Sequence, residues 1–227
     1  MRVVIATDPG ELARSAAAHI AGLIQQSSGP RVTLGLAGGS TPRATYRELR
    51  AAQIDWSRVD LWLGDERWVA PDHEESNERM AREELLDHVP AVFHGIRWEK
   101  GRPPHAAAEE YARTLQKILG DHPDIVVLGM GDDGHTASLF PGTAALAETD
   151  ADYVANHVPG RGWRLTATVP LLRRCRHTVF LVAGEAKADV LARVLGGDKL
   201  PSAVVAEAAG DVVWFVDEAA ASRLETG

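Results

Sequence analysis

Apolar residues along this chain fall into two alternating rhythms, and each rhythm specifies a kind of element. Short runs rich in branched and aromatic residues recur at 3–6 (VVIA), 32–36 (VTLGL), 59–63 (VDLWL), 125–128 (IVVL), 178–183 (TVFLVA) and 212–216 (VVWFV). Runs of this length, apolar on both faces, predict strands buried beneath helices on each side. Between them the spacing changes to three or four residues: Leu12, Ala16, Ile20, Leu23 and Ile24 share one face of a helix predicted over 9–27. Asp8 serves as its cap, Pro9 sits in its first turn and Glu11 completes a capping box. Further helical patterns cover 42–52, 75–88, 105–119 and 185–196. Strands alternating with helices predict a three-layer α/β/α sandwich around a mostly parallel sheet. Segments 97–105 (RWEKGRPPH) and 157–163 (HVPGRGW), each carrying Pro and Gly, are predicted loops.

No internal repeat, low-complexity tract or long charge block interrupts the 227 residues, so a single domain over 1–227 is expected. The net charge of -8 and the absence of a Lys/Arg stripe exclude nucleic acid and anionic membrane as expected partners. The same charge does not exclude an anionic small molecule, because a few focused cations and backbone NH groups outweigh distant charges across a screening solvent. With one cysteine, Cys175, the chain has no intrachain disulfide and no four-cysteine metal site, which suits a cytoplasmic location. Its nine histidines form no HxxxH or HExxH pairing, so no metal is expected. The apolar run at the N-terminus is too short for a signal peptide, and no 18-residue apolar stretch follows it. Cys175, between Arg174 and Arg176, has no paired histidine motif and is assigned no role.

In open α/β sheets, ligands sit beyond the carboxyl ends of the strands, so the turns that follow the apolar runs are the candidate chemistry. After 32–36 come Gly38, Gly39, Ser40, Thr41 and Pro42. Two glycines admit close backbone approach, two hydroxyls can donate, and Pro42 opens a helix whose free NH groups attract anions. The segment is neither a Walker loop nor a dinucleotide fingerprint, and its bland reading is a plain strand-to-helix turn. After 59–63, Asp65, Glu66 and Arg67 occupy the same rim, where capping or ion pairing is the alternative role. After 125–128 comes the most unusual stretch, GMGDDGHTASLFPG at 129–142, with three glycines, Asp132, Asp133 and His135 within seven residues. A histidine beside carboxylates on a glycine-built bend suits proton transfer near neutral pH; the alternative is a helix cap followed by a first-turn residue. Arg164 in RLTATVP and Lys187 in GEAKA, directly after 178–183, supply cations, although a lone surface charge is the ordinary role of either type.

Taken together and in order along most of the chain, GGSTP at 38–42, GDERWV at 64–69, Ser76-Asn77, the 129–142 stretch, RLTATVP at 164–170 and GEAKA at 184–188 resemble the 6-phosphogluconolactonase family. The resemblance implies a Rossmann-like fold shared with glucosamine-6-phosphate deaminases and ribose-5-phosphate isomerases. It implies hydrolysis of a phosphorylated sugar lactone without metal or organic cofactor. Position by position, it implies His135 as general base with Asp133 beside it, and Gly39, Ser40, Thr41, Arg164 and Lys187 as phosphate-binding positions with Arg67 lining the site. Arg161 and Arg164 both flank Gly162-Trp163, and Arg164 is preferred because it directly precedes Leu-Thr. The related deaminase/isomerase loop resembles Asp-Gly-His-Ile-Ala-Phe-Asn-Glu-Pro; here positions 136–141 read TASLFP and carry no acid, which favours adding water over moving protons between carbons. A sugar-phosphate sensor on the same fold would carry a DNA-binding helical segment, whereas this sequence enters its first strand at once. A monomer or weak homodimer acting on a small molecule is expected.

Overall fold

The structure, a computed structural model, describes residues 1–224. One sheet runs, edge to edge, β1 (Arg2–Ala6), β10 (Asp211–Asp217), β9 (His177–Val182), β6 (Ile125–Gly129), β2 (Val32–Leu36), β3 (Val59–Leu63) and β5 (Val92–His94). Every neighbouring pair in it is parallel. All five residues of β2 and all five of β3 are buried, as covering on both faces requires. Gly35 is part of that packing: a Cβ there would lie 2.5 Å from Cζ2 of Trp62, so the indole occupies the space a side chain would need. The covering elements include α1 (Pro9–Gln26), α2 (Ser40–Leu49), α3 (Asn77–Glu84) and α4 (Pro104–Leu119). They are followed along the chain by α5 (Val169–Arg173), α6 (Ala188–Leu195), α7 (Pro201–Ala208) and α8 (Glu218–Ala221). The buried face of α1, from Leu12 through Ile20 to Ile24, is the one its spacing predicts.

Local chemistry sets the boundaries. Asp8 Oδ1 accepts from Gly10 N (2.8 Å) and Glu11 N (2.9 Å), while the Glu11 carboxylate reaches past the cap to accept from Thr7 N (2.6 Å). The box therefore closes one residue earlier than the sequence pattern implies. The helix predicted over 75–88 ends at Glu84 and continues as a 3₁₀ turn, Leu86–His88. The one predicted over 185–196 opens with a 3₁₀ turn, Glu185–Lys187, before α6.

The chief departure from the sequence pattern is a second sheet, β4 (Asp65–Arg67), β8 (Gly162–Ala167) and β7 (Tyr153–Val158), antiparallel throughout. Segment 157–163 is thus not a free loop but the tip of the β7–β8 hairpin, turned by Gly160 (φ 72°) and Gly162 (φ 73°). These strands carry polar residues where an apolar run would be recognised. Asn156 is buried on β7 because its amide donates to Ser138 O (2.9 Å) and Thr143 Oγ1 (3.0 Å), tying the hairpin to the segment after β6.

Order in the sheet determines where a ligand fits. From β2 the chain moves outward to β3, whereas β6 leads the other way to β9, so the direction of winding reverses between β2 and β6. Those two strands pair only at Leu34–Ile125 and Gly35–Val126, and the residues beyond, toward their carboxyl ends, leave the ladder. A crevice at such a reversal is the usual ligand position of an open parallel sheet.

Cys175 is buried, and burial pushes its thiol up to about 12. Iodoacetamide at pH 8 is therefore expected to leave Cys175 of the native protein unmodified and to alkylate it after denaturation, as read by mass spectrometry; rapid native labelling would contradict this packing.

Candidate active site

Four turns meet at the crevice. A cavity of about 480 Å³ opens there, within the size range of small-molecule sites. Its walls come from the chain after β2 (Gly38–Thr41), after β3 (Asp65, Arg67), after β6 (Gly131–Asp133 and His135–Ala137) and after β9 (Lys187), with Arg161 added from the hairpin tip.

The turn after β2 is held by Tyr46, whose hydroxyl accepts from Ala37 N (2.7 Å) and donates to Ala37 O (3.0 Å). Gly39 then takes a φ of 112°, a conformation open to glycine, and starts α2 with no side-chain cap. The first-turn NH groups of α2, at Ser40 and Thr41, are left without capping side chains at the cavity wall, where they can meet an anion.

The turn after β6 carries the histidine. His135 Nδ1 lies 2.5 Å from Asp133 Oδ1, and the same oxygen accepts from His135 N (3.1 Å). Burial raises the Asp133 carboxyl, but the His135 NH and ring outweigh it and hold the group below the usual carboxylate range, so it is anionic at neutral pH. A carboxylate on Nδ1 fixes the ring proton there and leaves Nε2, which has no hydrogen-bond partner among the described residues, with its lone pair. Two contacts hold the plane of the ring. Phe140 stacks on it at 4.0 Å between centroids and 24° between planes, and on Gly131 a Cβ would fall 1.9 Å from His135 Cε1. Gly131 N donates to His135 O (2.8 Å) and Gly134 N to Gly131 O (3.0 Å), which closes the bend.

A buried network joins the turns. Asp65 accepts from Asn77 Nδ2 (3.1 Å) and from Ser138 Oγ (2.7 Å), linking the ends of β3, α3 and the bend after β6. Asn77 sits where a Cβ on Gly38 would be, 1.9 Å from its Oδ1. Glu66 accepts from the NH groups of Asn77 (2.7 Å) and Glu78 (2.8 Å) at the start of α3. Burial pushes the Glu66 carboxyl up to about 7, and those NH groups pull it the other way.

Of the residues singled out in the sequence, Gly39, Ser40, Thr41, Arg67, Asp133, His135 and Lys187 all line this one cavity. Arg164 does not: it stands opposite Arg67 in the β4–β8 ladder, half-buried, and donates to Trp163 O (3.3 Å). Burial first, and the charge of Arg67 second, lower its pKa, so this guanidinium is held in a place that an anion would relieve. Arg161, passed over in favour of Arg164, does line the cavity, with its guanidinium 5.4 Å from the centroid of Phe140. Phe140 and the Asp65–Ser138 tie escaped the sequence reading. Both lie in recognised motifs, but nothing in residue spacing reports a stacking or a contact between distant turns. Among the described residues, no cluster of three or more His, Cys, Asp and Glu side chains is arranged to hold a metal.

Comparison with known proteins agrees with this layout. The family model described as glucosamine-6-phosphate isomerases/6-phosphogluconolactonase matches residues 7–214. The 6-phosphogluconolactonase of Nostoc sp. is 39% identical over 207 residues, covering 86% of this chain and 85% of that protein. The solved structure of 6-phosphogluconolactonase from Trypanosoma cruzi superposes with a TM-score of 0.90 at 27% identity, covering 99% of this chain and 97% of that one. A monomeric glucosamine-6-phosphate deaminase, at 23% identity and a TM-score of 0.83, shares the fold. The chain is a member of the glucosamine-6-phosphate isomerase/6-phosphogluconolactonase family.

Proposed function

We propose that this protein is a carboxylic ester hydrolase that converts 6-phospho-D-glucono-1,5-lactone to 6-phospho-D-gluconate, in the oxidative branch of the pentose phosphate pathway and in the cytoplasm. The observation that carries the reading is a histidine with Asp133 on its Nδ1 and a free Nε2, lining the same cavity as an uncapped helix start and Lys187. The names of the relatives support the substrate, since two of them are 6-phosphogluconolactonases.

The lactone carbonyl is already electrophilic, so the protein has to position it, deprotonate a water and stabilise the oxyanion. In this reading, neutral His135 takes a proton through Nε2 from the water that attacks C1. Asp133 keeps the ring in the productive tautomer and stabilises the imidazolium that forms. Collapse of the tetrahedral intermediate breaks the C1 bond to the ring oxygen, and His135 returns its proton to that oxygen. The NH groups of Gly39, Ser40 and Thr41, with Lys187, Arg67 and either Arg161 or Arg164, hold the phosphate. Binding at that remote group orients the ring at C1.

A continuous proton-release assay, corrected for spontaneous hydrolysis, tests the reading with 6-phosphogluconolactone, gluconolactone and glucosamine 6-phosphate side by side. The phosphorylated lactone is expected to be hydrolysed fastest and glucosamine 6-phosphate to be inert. In the same assay His135→Ala is expected to lose about 10² to 10⁴ in rate while still binding product; turnover close to wild type would rule out the general base. Lys187→Ala is expected to raise KM for the phosphorylated lactone and to leave the plain lactone nearly unchanged. Equal effects on both substrates would argue against a phosphate contact.

A further inference from the structure

Lys187 reaches the cavity from the turn after β9, and its ammonium has one side-chain partner among the described residues, the carboxylate of Asp132 on the bend after β6. The two residues are 55 positions apart and both line the cavity. They differ in setting: the Lys187 side chain is 24% exposed and that of Asp132 is 79% exposed. Among the described residues Asp132 makes no other side-chain hydrogen bond, and the ammonium is what holds its carboxylate over the site. Asp133, its neighbour, is by contrast fixed by both the ring and the NH of His135.

An ammonium on a side chain that is mostly buried gains from a nearby anion, and Asp132 supplies one. A phosphate monoester dianion offers the same ammonium more oxygens and more charge. The carboxylate and the phosphate thus compete for one cation, and each repels the other. We propose that Asp132 is a built-in competitor for the phosphate subsite: it holds Lys187 while the site is empty, swings into solvent when a phosphate monoester binds, and recaptures the ammonium as the product leaves. The inference rests on the phosphate-binding role proposed for Lys187. Its consequence is a lowered apparent affinity, since only the fraction of molecules with an unpaired Lys187 is ready to bind. Looser uniform binding favours release of a product that keeps the same phosphate.

If the pair served only to hold Lys187 in place, removing Asp132 would weaken phosphate binding; a competitor has the opposite sign. Calorimetric titration of the full chain with inorganic phosphate separates the two, using wild type, Asp132→Asn, Lys187→Ala and the double variant. Asp132→Asn is expected to tighten phosphate binding about three- to tenfold, the range of a partly exposed ion pair plus the repulsion it removes. In the Lys187→Ala background the same substitution is expected to tighten binding by clearly less than in wild type, because only the direct repulsion is then removed. Unchanged or weaker binding by Asp132→Asn, or the same tightening in the absence of Lys187, would overturn the proposal. Phosphate binding by Lys187→Ala equal to wild type would instead overturn the phosphate role of Lys187 on which the proposal stands.

Discussion

An imidazole ring lies in the space where residue 131 would carry its Cβ. That single steric fact governs the site. Glycine at 131 lets the chain fold back until Gly131 N meets His135 O, Phe140 stacks on the ring, and the carboxylate two residues upstream comes onto Nδ1. Any side chain at 131 must displace the ring of this cavity-lining histidine, and with it Nε2, which has no hydrogen-bond partner among the described residues. Local sequence thereby builds the acid/base pair within one bend, with no help from a distant element in bringing Asp133 to His135.

Everything else at the site is assembled from afar, and the parallel sheet does the assembling. Strands that all point the same way deliver the turns after β2, β3, β6 and β9 to one edge, and the reversal between β2 and β6 opens the crevice among them. Asp65 then fastens the turns after β3 and β6 to each other and to the start of α3 through Ser138 and Asn77. Although the chain carries a net charge of -8, two arginines at or beside the cavity have no carboxylate partner among the described residues. Arg67 and Arg164 donate to the backbone oxygens of Glu75 and Trp163, whereas Arg31, Arg47 and Arg174 elsewhere are closed onto Asp60, Glu84 and Asp152. A nearby cation without a counter-carboxylate is felt by a ligand more than distant, screened charges are.

The parts of this molecule legible in the sequence are those whose physics is local or periodic. Strands β2, β3, β6, β9 and β10 are apolar runs because helices cover both their faces, and α1 announces itself through its apolar stripe and through Asp8. Motifs at turn positions named seven residues that share the cavity, since glycine and helix-start chemistry is written in consecutive letters. The antiparallel sheet was illegible because β4 spans three residues and β7 buries an asparagine whose partners are Ser138 and Thr143. The choice between Arg161 and Arg164 was illegible for a related reason: one sits on a hairpin tip and the other in a ladder, and a run of letters does not distinguish them.

The tautomer of His135 bears most directly on this account, because catalysis as described needs the proton on Nδ1 and a lone pair on Nε2. Imidazole nitrogen chemical shifts from ¹⁵N-labelled protein, recorded at a pH where the ring is neutral, read that distribution. The expected result is an Nδ1–H ring in the wild type that loses this preference in Asp133→Asn. A wild-type ring protonated on Nε2 would contradict the account.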